Sequence, residues 1–300
     1  MTRTLQKTLF FACILALLAL ARGSALGEEA AKLPLDFSGG MPPREEFFNG
    51  TWSYEDPTIS VSIVQKTYSG PTYNCDYWVA HIKIADASQL RTEAANGFDD
   101  FNFETTGEVM AKRVNAVLAI NGDYFTFTTE GYILRQGEVF LNKLVGRRDI
   151  LLIDEDGDFH IIRYARRDDA VTEIYGKKII NAFYFGPALI MDGAIVRDMD
   201  LREDMRALDG RQRMCIAQVG PLEYKCICCA GPFQQNGGMK IEEFARIVLK
   251  EGVETAYNLD GGDSCMMFFH GEKVNDASNR SNRKFTDIIY FASAYGADEE

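Results

Sequence analysis

Short runs of alternating apolar and polar residues, punctuated by Asp-Gly pairs, are what most restrict the folds open to this chain. Asp156-Gly157 divides Ile150–Ile153 from Phe159–Ile162, and Asp192-Gly193 divides Ala188–Met191 from Ala194–Val196. Asp-Gly accepts the positive backbone dihedrals of tight two-residue turns, so each pair predicts an antiparallel hairpin. Upstream, Ile59, Val61 and Ile63 alternate with Ser60 and Ser62, and Trp78, Ala80, Ile82 and Ile84 alternate with His81 and Lys83. A period of two puts one face of a strand in the core and the other in water. Ala116–Ile120 is apolar throughout, as a central strand is, and runs straight into Asn121-Gly122-Asp123.

One segment carries the helical period. Within 240–251, Ile241, Phe244, Ala245, Val248 and Leu249 share a face, Glu242 stands four residues before Arg246, and Gly252 is placed to stop the helix. A shorter helix is expected over 105–114. Thr255–Leu259 follows the long helix as a short apolar strand and ends at Asp260. Charged residues fill 197–213, an expected exposed excursion, before Met214–Val219 resumes as a strand. Together these features predict a mixed α+β fold, with a hairpin-rich β-sheet core and a few packed helices in one domain covering 57–300.

The N-terminus reads as an export signal. Arg3 and Lys7 precede an apolar run of thirteen residues, Leu9–Ala21, and small residues follow at Ala19-Leu20-Ala21 and Gly23-Ser24-Ala25. That run is short for a membrane span and suits a cleaved signal over 1–25, with an uncleaved anchor as the other reading. A secreted or extracytoplasmic protein is expected. Residues 26–56, rich in Gly, Pro and charge, read as a flexible or surface-draped leader. Asn49-Gly50-Thr51 and Asn279-Arg280-Ser281 fit the N-glycosylation pattern, which matters only in a eukaryotic chain.

A net charge of −12 argues against a partner held by phosphate-backbone electrostatics, such as nucleic acid. It leaves room for a small anionic substrate, because a few local donors outweigh distant charge. Of seven cysteines, Cys13 leaves with the signal, and Cys75, Cys215, Cys226, Cys228, Cys229 and Cys265 remain. An even number in an exported chain permits disulfides, with the pairing open. The Cys226/Cys228/Cys229 group lacks a paired C-x-x-C partner, which argues against zinc. His81, His160 and His270 are dispersed, and none stands near a candidate nucleophile.

The polar residues at two strand ends are the candidates for chemistry. In Asp260-Gly261-Gly262-Asp263-Ser264, two carboxylates and a hydroxyl surround a glycine pair. Glycines there allow a sharp turn and close approach of backbone N–H groups to a ligand. Taken alone, the loop reads more readily as a Gly-Gly hairpin turn with solvated aspartates. Asn121-Gly122-Asp123 has the same ambiguity, since Asn-Gly is itself a hairpin signal. Two apolar strands that each end in Asn, Asp and glycine suggest carboxylates delivered to one cleft.

These segments resemble the phosphodiester glycosidase family. The resemblance lies in Gly237-Gly238-Met239-Lys240-Ile241-Glu242-Glu243-Phe244-Ala245 and Asn258-Leu259-Asp260-Gly261-Gly262-Asp263-Ser264. Upstream and in the family's order come Ala119-Ile120-Asn121-Gly122-Asp123-Tyr124-Phe125, Phe185-Gly186-Pro187-Ala188-Leu189-Ile190 and Arg211-Gln212-Arg213, with Arg283 and Asp287-Ile288-Ile289 near the end. The match covers roughly residues 75–294. Asp263 stands where the family usually has a third glycine, and Cys265 where it often has serine or threonine. Members include an enzyme that removes N-acetylglucosamine from a phosphodiester, and bacterial exopolysaccharide-associated relatives.

The resemblance implies a hydrolase acting on a sugar-1-phosphodiester. A phosphate monoester leaving group stabilises its own charge, so such a site needs anion donors more than a strong general acid. On that view Arg213, with Arg211 or Arg283, and the N–H groups of Gly261 and Gly262 hold phosphate. Asp260 is the first choice for the carboxylate that activates water or attacks the anomeric carbon, and Asp123 the second. Asn121, Gly122, Gly186, Asp263 and Ser264 are expected to position substrate. Which carboxylate does what stays open, as does retention or inversion. A non-catalytic glycan-binding protein on the same fold is the alternative, motivated by Asp263 and Cys265. No cofactor is required, although clustered aspartates and Asn side chains also suit calcium.

Overall fold

The computed structural model describes residues 31–70, 73–98, 103–123, 130–199, 201, 206–232, 236–275 and 283–297. The expected signal peptide, Tyr124-Phe125 and the Asn279 glycosylation pattern lie outside the described residues. The described residues form three sheets. The largest has eight strands in the order β1 (Ser53–Glu55), β2 (Ile59–Ser69), β3 (Asn74–Ile84), β15 (Glu223–Cys229), β14 (Arg213–Gly220), β16 (Thr255–Leu259), β12 (Ala188–Met191) and β13 (Ala194–Ile195). The second runs β7 (Glu138–Lys143), β6 (Gly131–Arg135), β11 (Lys177–Phe183), β8 (Ile150–Asp154) and β9 (Phe159–Ile162), with β10 (Glu173–Ile174) paired onto β11. The third runs β18 (Glu272–Lys273), β17 (Met267–Phe269), β5 (Ala116–Asn121), β19 (Asp287–Ala292) and β4 (Leu90–Ala94).

The pairings are antiparallel throughout, as the hairpin signals predict. Asp192 and Gly193 take φ of 51° and 66°, so both central residues of the β12–β13 turn are left-handed, as that tight turn requires. The β8–β9 turn is held differently: Asp154 Oδ1 accepts the N–H groups of Asp156 and Asp158 at 3.0 Å each. β5 is buried along its whole length between β17 and β19, which is why its sequence does not alternate.

Helix is scarcer than a mixed α+β fold implies: among the described residues only α1 (Gly107–Arg113) and α2 (Ile241–Lys250) are α-helical, and sheet dominates. α2 buries Ile241, Phe244, Ala245, Ile247 and Val248 against the main core, and its Glu243 carboxylate accepts the Lys240 N–H at 3.0 Å. No helix among the described residues is long and apolar enough to cross a membrane.

Two expectations change. Residues 31–56 are docked instead of loose: Leu33 and Tyr54 are buried, Met41 bridges to Ser293, and β1 pairs with β2. Apolar side chains within a Gly/Pro-rich stretch give it something to bury, and composition alone hides that. Second, Cys75, Cys215, Cys226, Cys228, Cys229 and Cys265 are all buried free thiols packed in the main core. Burial pushes the Cys215, Cys226, Cys229 and Cys265 thiols up.

Candidate active site

Strand ends from all three sheets meet at one place. β5 ends at Asn121 and continues through Gly122 to Asp123, and β19 starts beside it at Asp287. β16 delivers Asp260, and β6 ends at Arg135. The β5 and β16 ends are stitched together: Asn121 Nδ2 donates to the Asp260 carbonyl at 2.8 Å, and the Asp260 N–H to the Gly122 carbonyl at 3.4 Å. Asn121 Oδ1 accepts the Met266 N–H at 3.2 Å. Asn121 therefore joins two strand ends, a role that replaces the expected one in positioning substrate.

Asp123 and Asp287 share one arginine. Arg135 Nη2 lies 2.9 Å from Asp123 Oδ1 and 3.3 Å from Asp287 Oδ2, and its Nη1 donates to the carbonyls of Leu134 and Ala182. The guanidinium sits 4.3 Å from the centre of the Phe183 ring. Asp123 Oδ2 accepts the Tyr184 N–H at 2.9 Å, so both of its oxygens are occupied. An engaged carboxylate that is 2% exposed is poorly placed to attack a substrate, which moves Asp123 from candidate nucleophile to electrostatic partner. Gly122 is required for contact: a Cβ there would meet the Asp287 carboxylate oxygens at 2.2 Å.

Asp260 differs from its neighbours. It is half-buried, and the protein packed around its carboxyl still desolvates it enough to push its pKa up to about 7, with Asp123's charge adding to the rise. The Ser264 side chain, the Gly261 N–H and the Arg283 charge oppose that shift. Asp287 is raised as well, first by burial and then by the charges of Asp123 and Asp260, while Arg135 pulls it back. Asp260 thus feels the charge of Asp123, and Asp287 feels the charges of both. The Arg283 Nε is buried without a hydrogen-bond partner, and Arg283 is the nearby cation acting on Asp260.

The glycine pair works otherwise than expected. The Gly262 N–H donates to the Gln212 carbonyl at 3.1 Å and the Gly261 N–H to the Asp260 carboxyl, so neither is an open anion donor. A Cβ on Gly261 would lie 2.5 Å from the Gln212 carbonyl, so that glycine permits the loop to press against β14. Gly262 has open space and a φ of 58°, which the 3-10 turn Gly262–Ser264 needs. Asp263 sits half-buried on that turn.

The arginine pair departs from expectation too. Arg213 is 5% exposed, and its Nε and Nη2 donate to the carbonyls of Met239, Arg206 and Asp209 at 3.0, 2.7 and 2.9 Å. It tethers the end of the charged excursion and the α2 approach to β14, which replaces the phosphate contact expected of it. Arg211 pairs backbone to backbone with Met239, and its partly exposed guanidinium lies 3.7 Å from an Asp209 oxygen. Gly186, with a φ of 76°, offers its carbonyl to Asn258 Nδ2 at 2.7 Å, a contact that fixes the β11–β12 loop on β16.

Sequence reasoning missed Arg135 altogether and gave Asp287 no role at the site. Arg135 lies in an ordinary-looking hairpin, Gly131–Lys143, with no motif around it. A charged residue closing an otherwise apolar Gly-Tyr-Ile-Leu run is the only local signal. Among the described residues no group of three or more His, Cys, Asp or Glu is arranged to hold a metal ion.

The fold has solved counterparts. The catalytic domain of zebrafish N-acetylglucosamine-1-phosphodiester alpha-N-acetylglucosaminidase, auto-inhibited by its pro-peptide, superposes with a TM-score of 0.66 at 17% identity, covering 91% of this chain and 90% of that one. A hypothetical protein from Synechocystis gives 0.55 at 15% identity, over 78% of this chain and 62% of that one. A Burkholderia pseudomallei protein provisionally described as exported gives 0.50 at 12%, over 73% and 74%. Comparison with curated protein sequences gave no match. The family model described as phosphodiester glycosidase matches residues 114–292, a stretch that runs from two residues before β5 to the end of β19 and contains every residue of the cleft. The chain belongs to the phosphodiester glycosidase family.

Proposed function

We propose that this protein hydrolyses the glycosidic bond of a sugar-1-phosphodiester, with Asp260 activating water and Arg283 receiving the phosphate. The observation that carries this reading is the pairing of a half-buried carboxyl held near pH 7 with a neighbouring arginine whose buried Nε lacks a partner. A base with a pKa close to the working pH combines availability with driving force. Arg283 supplies a charge-assisted donor for the departing phosphate, whose own charge stabilisation removes the need for a strong acid. Arg135 offsets the buried charges of Asp123 and Asp287, so Asp123 can add to the rise in Asp260 while keeping a counter-charge of its own. The substrate class is supported by the family match and by the activity named for the zebrafish enzyme, and we infer that the protein acts outside the cytoplasm on exopolysaccharide or another glycan.

The test is incubation of the purified protein with a panel of sugar-1-phosphodiesters while released sugar is followed. Asp260→Asn should remain folded and lose at least about a hundredfold in rate, the usual scale for an acid–base group. Wild-type turnover in that variant would remove Asp260 from the mechanism. Saturable binding without product on every member of the panel would overturn hydrolysis in favour of glycan binding.

A further inference from the structure

Part of the leader is built against Arg135. Residues 34–38 belong to no strand, and their carbonyls find donors in Arg91, a β4 side chain only 1% exposed. Arg91 donates to the carbonyls of Pro34, Asp36 and Ser38 at 2.9, 2.9 and 3.0 Å, and the Tyr290 hydroxyl donates to the Ser38 carbonyl at 3.3 Å. A guanidinium suits this task, since its fork of donors serves several acceptors at once. Held there, the stretch meets the surroundings of Arg135 twice. The Asp36 carbonyl accepts Gln136 Nε2 at 3.0 Å, and Gln136 follows Arg135 directly with a φ of 49°. The Phe37 ring lies 5.6 Å from that of Phe98 and 6.0 Å from that of Phe140, centre to centre. Phe98 in turn has its ring centre 5.6 Å from the Arg135 guanidinium carbon.

We propose that residues 34–38 position Arg135 for the reaction, through Asp36 on Gln136 and Phe37 on Phe98. The other groups around that guanidinium, on Asp123, Asp287, Leu134, Ala182 and Phe183, stand in strands or within two residues of one. Phe98 lies in a turn after β4 and has no ladder to hold it, so Phe37 fixes the one side that the sheets leave loose. A counter-charge acts through distance, and small displacements of a buried cation weaken it. The consequence for catalysis rests on the hydrolysis proposed above. Asp260 feels Asp123, Arg283, Ser264 and Gly261, and bears on Asp287 and Cys265. Arg135 is the cation held by Asp123 and Asp287. Displacing it leaves both carboxylates less offset, which favours protonated Asp260 and removes the base at low pH.

The experiment compares Phe37→Ala, Phe37→Tyr and Phe47→Ala in the otherwise unchanged protein. Phe37 is 38% exposed, so its truncation should leave the fold intact. Phe47 packs on Tyr54 and Tyr295, and its loss loosens the leader away from Arg135. The Nε–H NMR signal of Arg135, assigned through its own side-chain carbons, reports where the guanidinium sits against the rings. In Phe37→Ala it should move and exchange with solvent about tenfold faster, the scale of one lost aromatic contact. In Phe37→Tyr and Phe47→Ala it should match the wild type. With a sugar-1-phosphodiester, kcat/KM of Phe37→Ala should fall about three- to tenfold at pH 6 and recover by pH 9. An unmoved Arg135 signal in Phe37→Ala would overturn the proposal, as would an equal change in Phe47→Ala or a wild-type kcat/KM at every pH. Product from none of the proteins, with the signal moved as expected, would sink hydrolysis and uphold the positioning of Arg135.

Discussion

Arg135 and Asp123 meet at 2.9 Å with side chains only 0% and 1% exposed, a charge pair sealed inside the protein where two sheets abut. Both oxygens of Asp123 are engaged, because the Tyr184 N–H donates to the second. Burial is the first cause of the raised Asp260 pKa, and the charge of Asp123 adds to it from inside this pair.

Removing the arginine should therefore act first on folding. Arg135→Met leaves Asp123 buried without its counter-charge, a loss of about 3–5 kcal/mol by analogy with other broken buried pairs. Denaturant unfolding measures it. A change below about 1 kcal/mol, the scale of an exposed pair, would mean that the site opens to water.

Arg213 and Arg283 should separate cleanly. Arg213→Ala strips three carbonyl contacts from Met239, Arg206 and Asp209, so its cost should appear in melting temperature. Arg283→Ala should melt near the wild type and lose about 1.5–3 kcal/mol of binding to a phosphate-containing substrate, the range for a hydrogen bond to a charged group. Melting curves with substrate titration of both variants check the contrast, and the reverse pattern would return Arg213 to the phosphate.

The raised Asp260 carboxyl predicts two pH effects. Its ordinary value is 3.8 and its value in the folded protein about 7, so between these the folded state holds a proton that the unfolded chain releases. Its contribution to stability is full below about pH 4 and is lost as pH rises through 7. Asp287, raised for related reasons, adds to the loss in the same direction. Melting temperature should fall from pH 5 to pH 8, and fall less in Asp260→Asn. For water activation kcat/KM should climb with an apparent pKa near 7; a flat profile would contradict the base role.

Two glycines in the loop should fail for different reasons. Gly261→Ala drives a methyl to 2.5 Å from the Gln212 carbonyl and should displace the loop, with loss of activity. Gly262→Ala meets no atom within 4 Å but must hold a φ of 58°, a cost of about 1–2 kcal/mol for a side-chain-bearing residue. Activity and unfolding of the two variants, measured side by side, distinguish contact from backbone strain.

The sequence by itself determined the local elements, because their causes are local. Period-two patterning and Asp-Gly turns specified the hairpins around 156–157 and 192–193, and the apolar face of 240–251 specified α2. It also singled out Asp260 and Asp123 at two strand ends, which the fold brings together through Asn121. Only the tertiary structure decided which polar groups remain available. Asn121, Arg213 and the Gly262 N–H look like ligand donors in one dimension, yet each is engaged by main chain contributed from a distant part of the sequence. Arg135 has the opposite history, since its importance comes wholly from Asp123 and Asp287, 12 and 152 residues away. Buried polar groups must find partners wherever the fold supplies them, and that choice is made by packing between sheets, which no local pattern records.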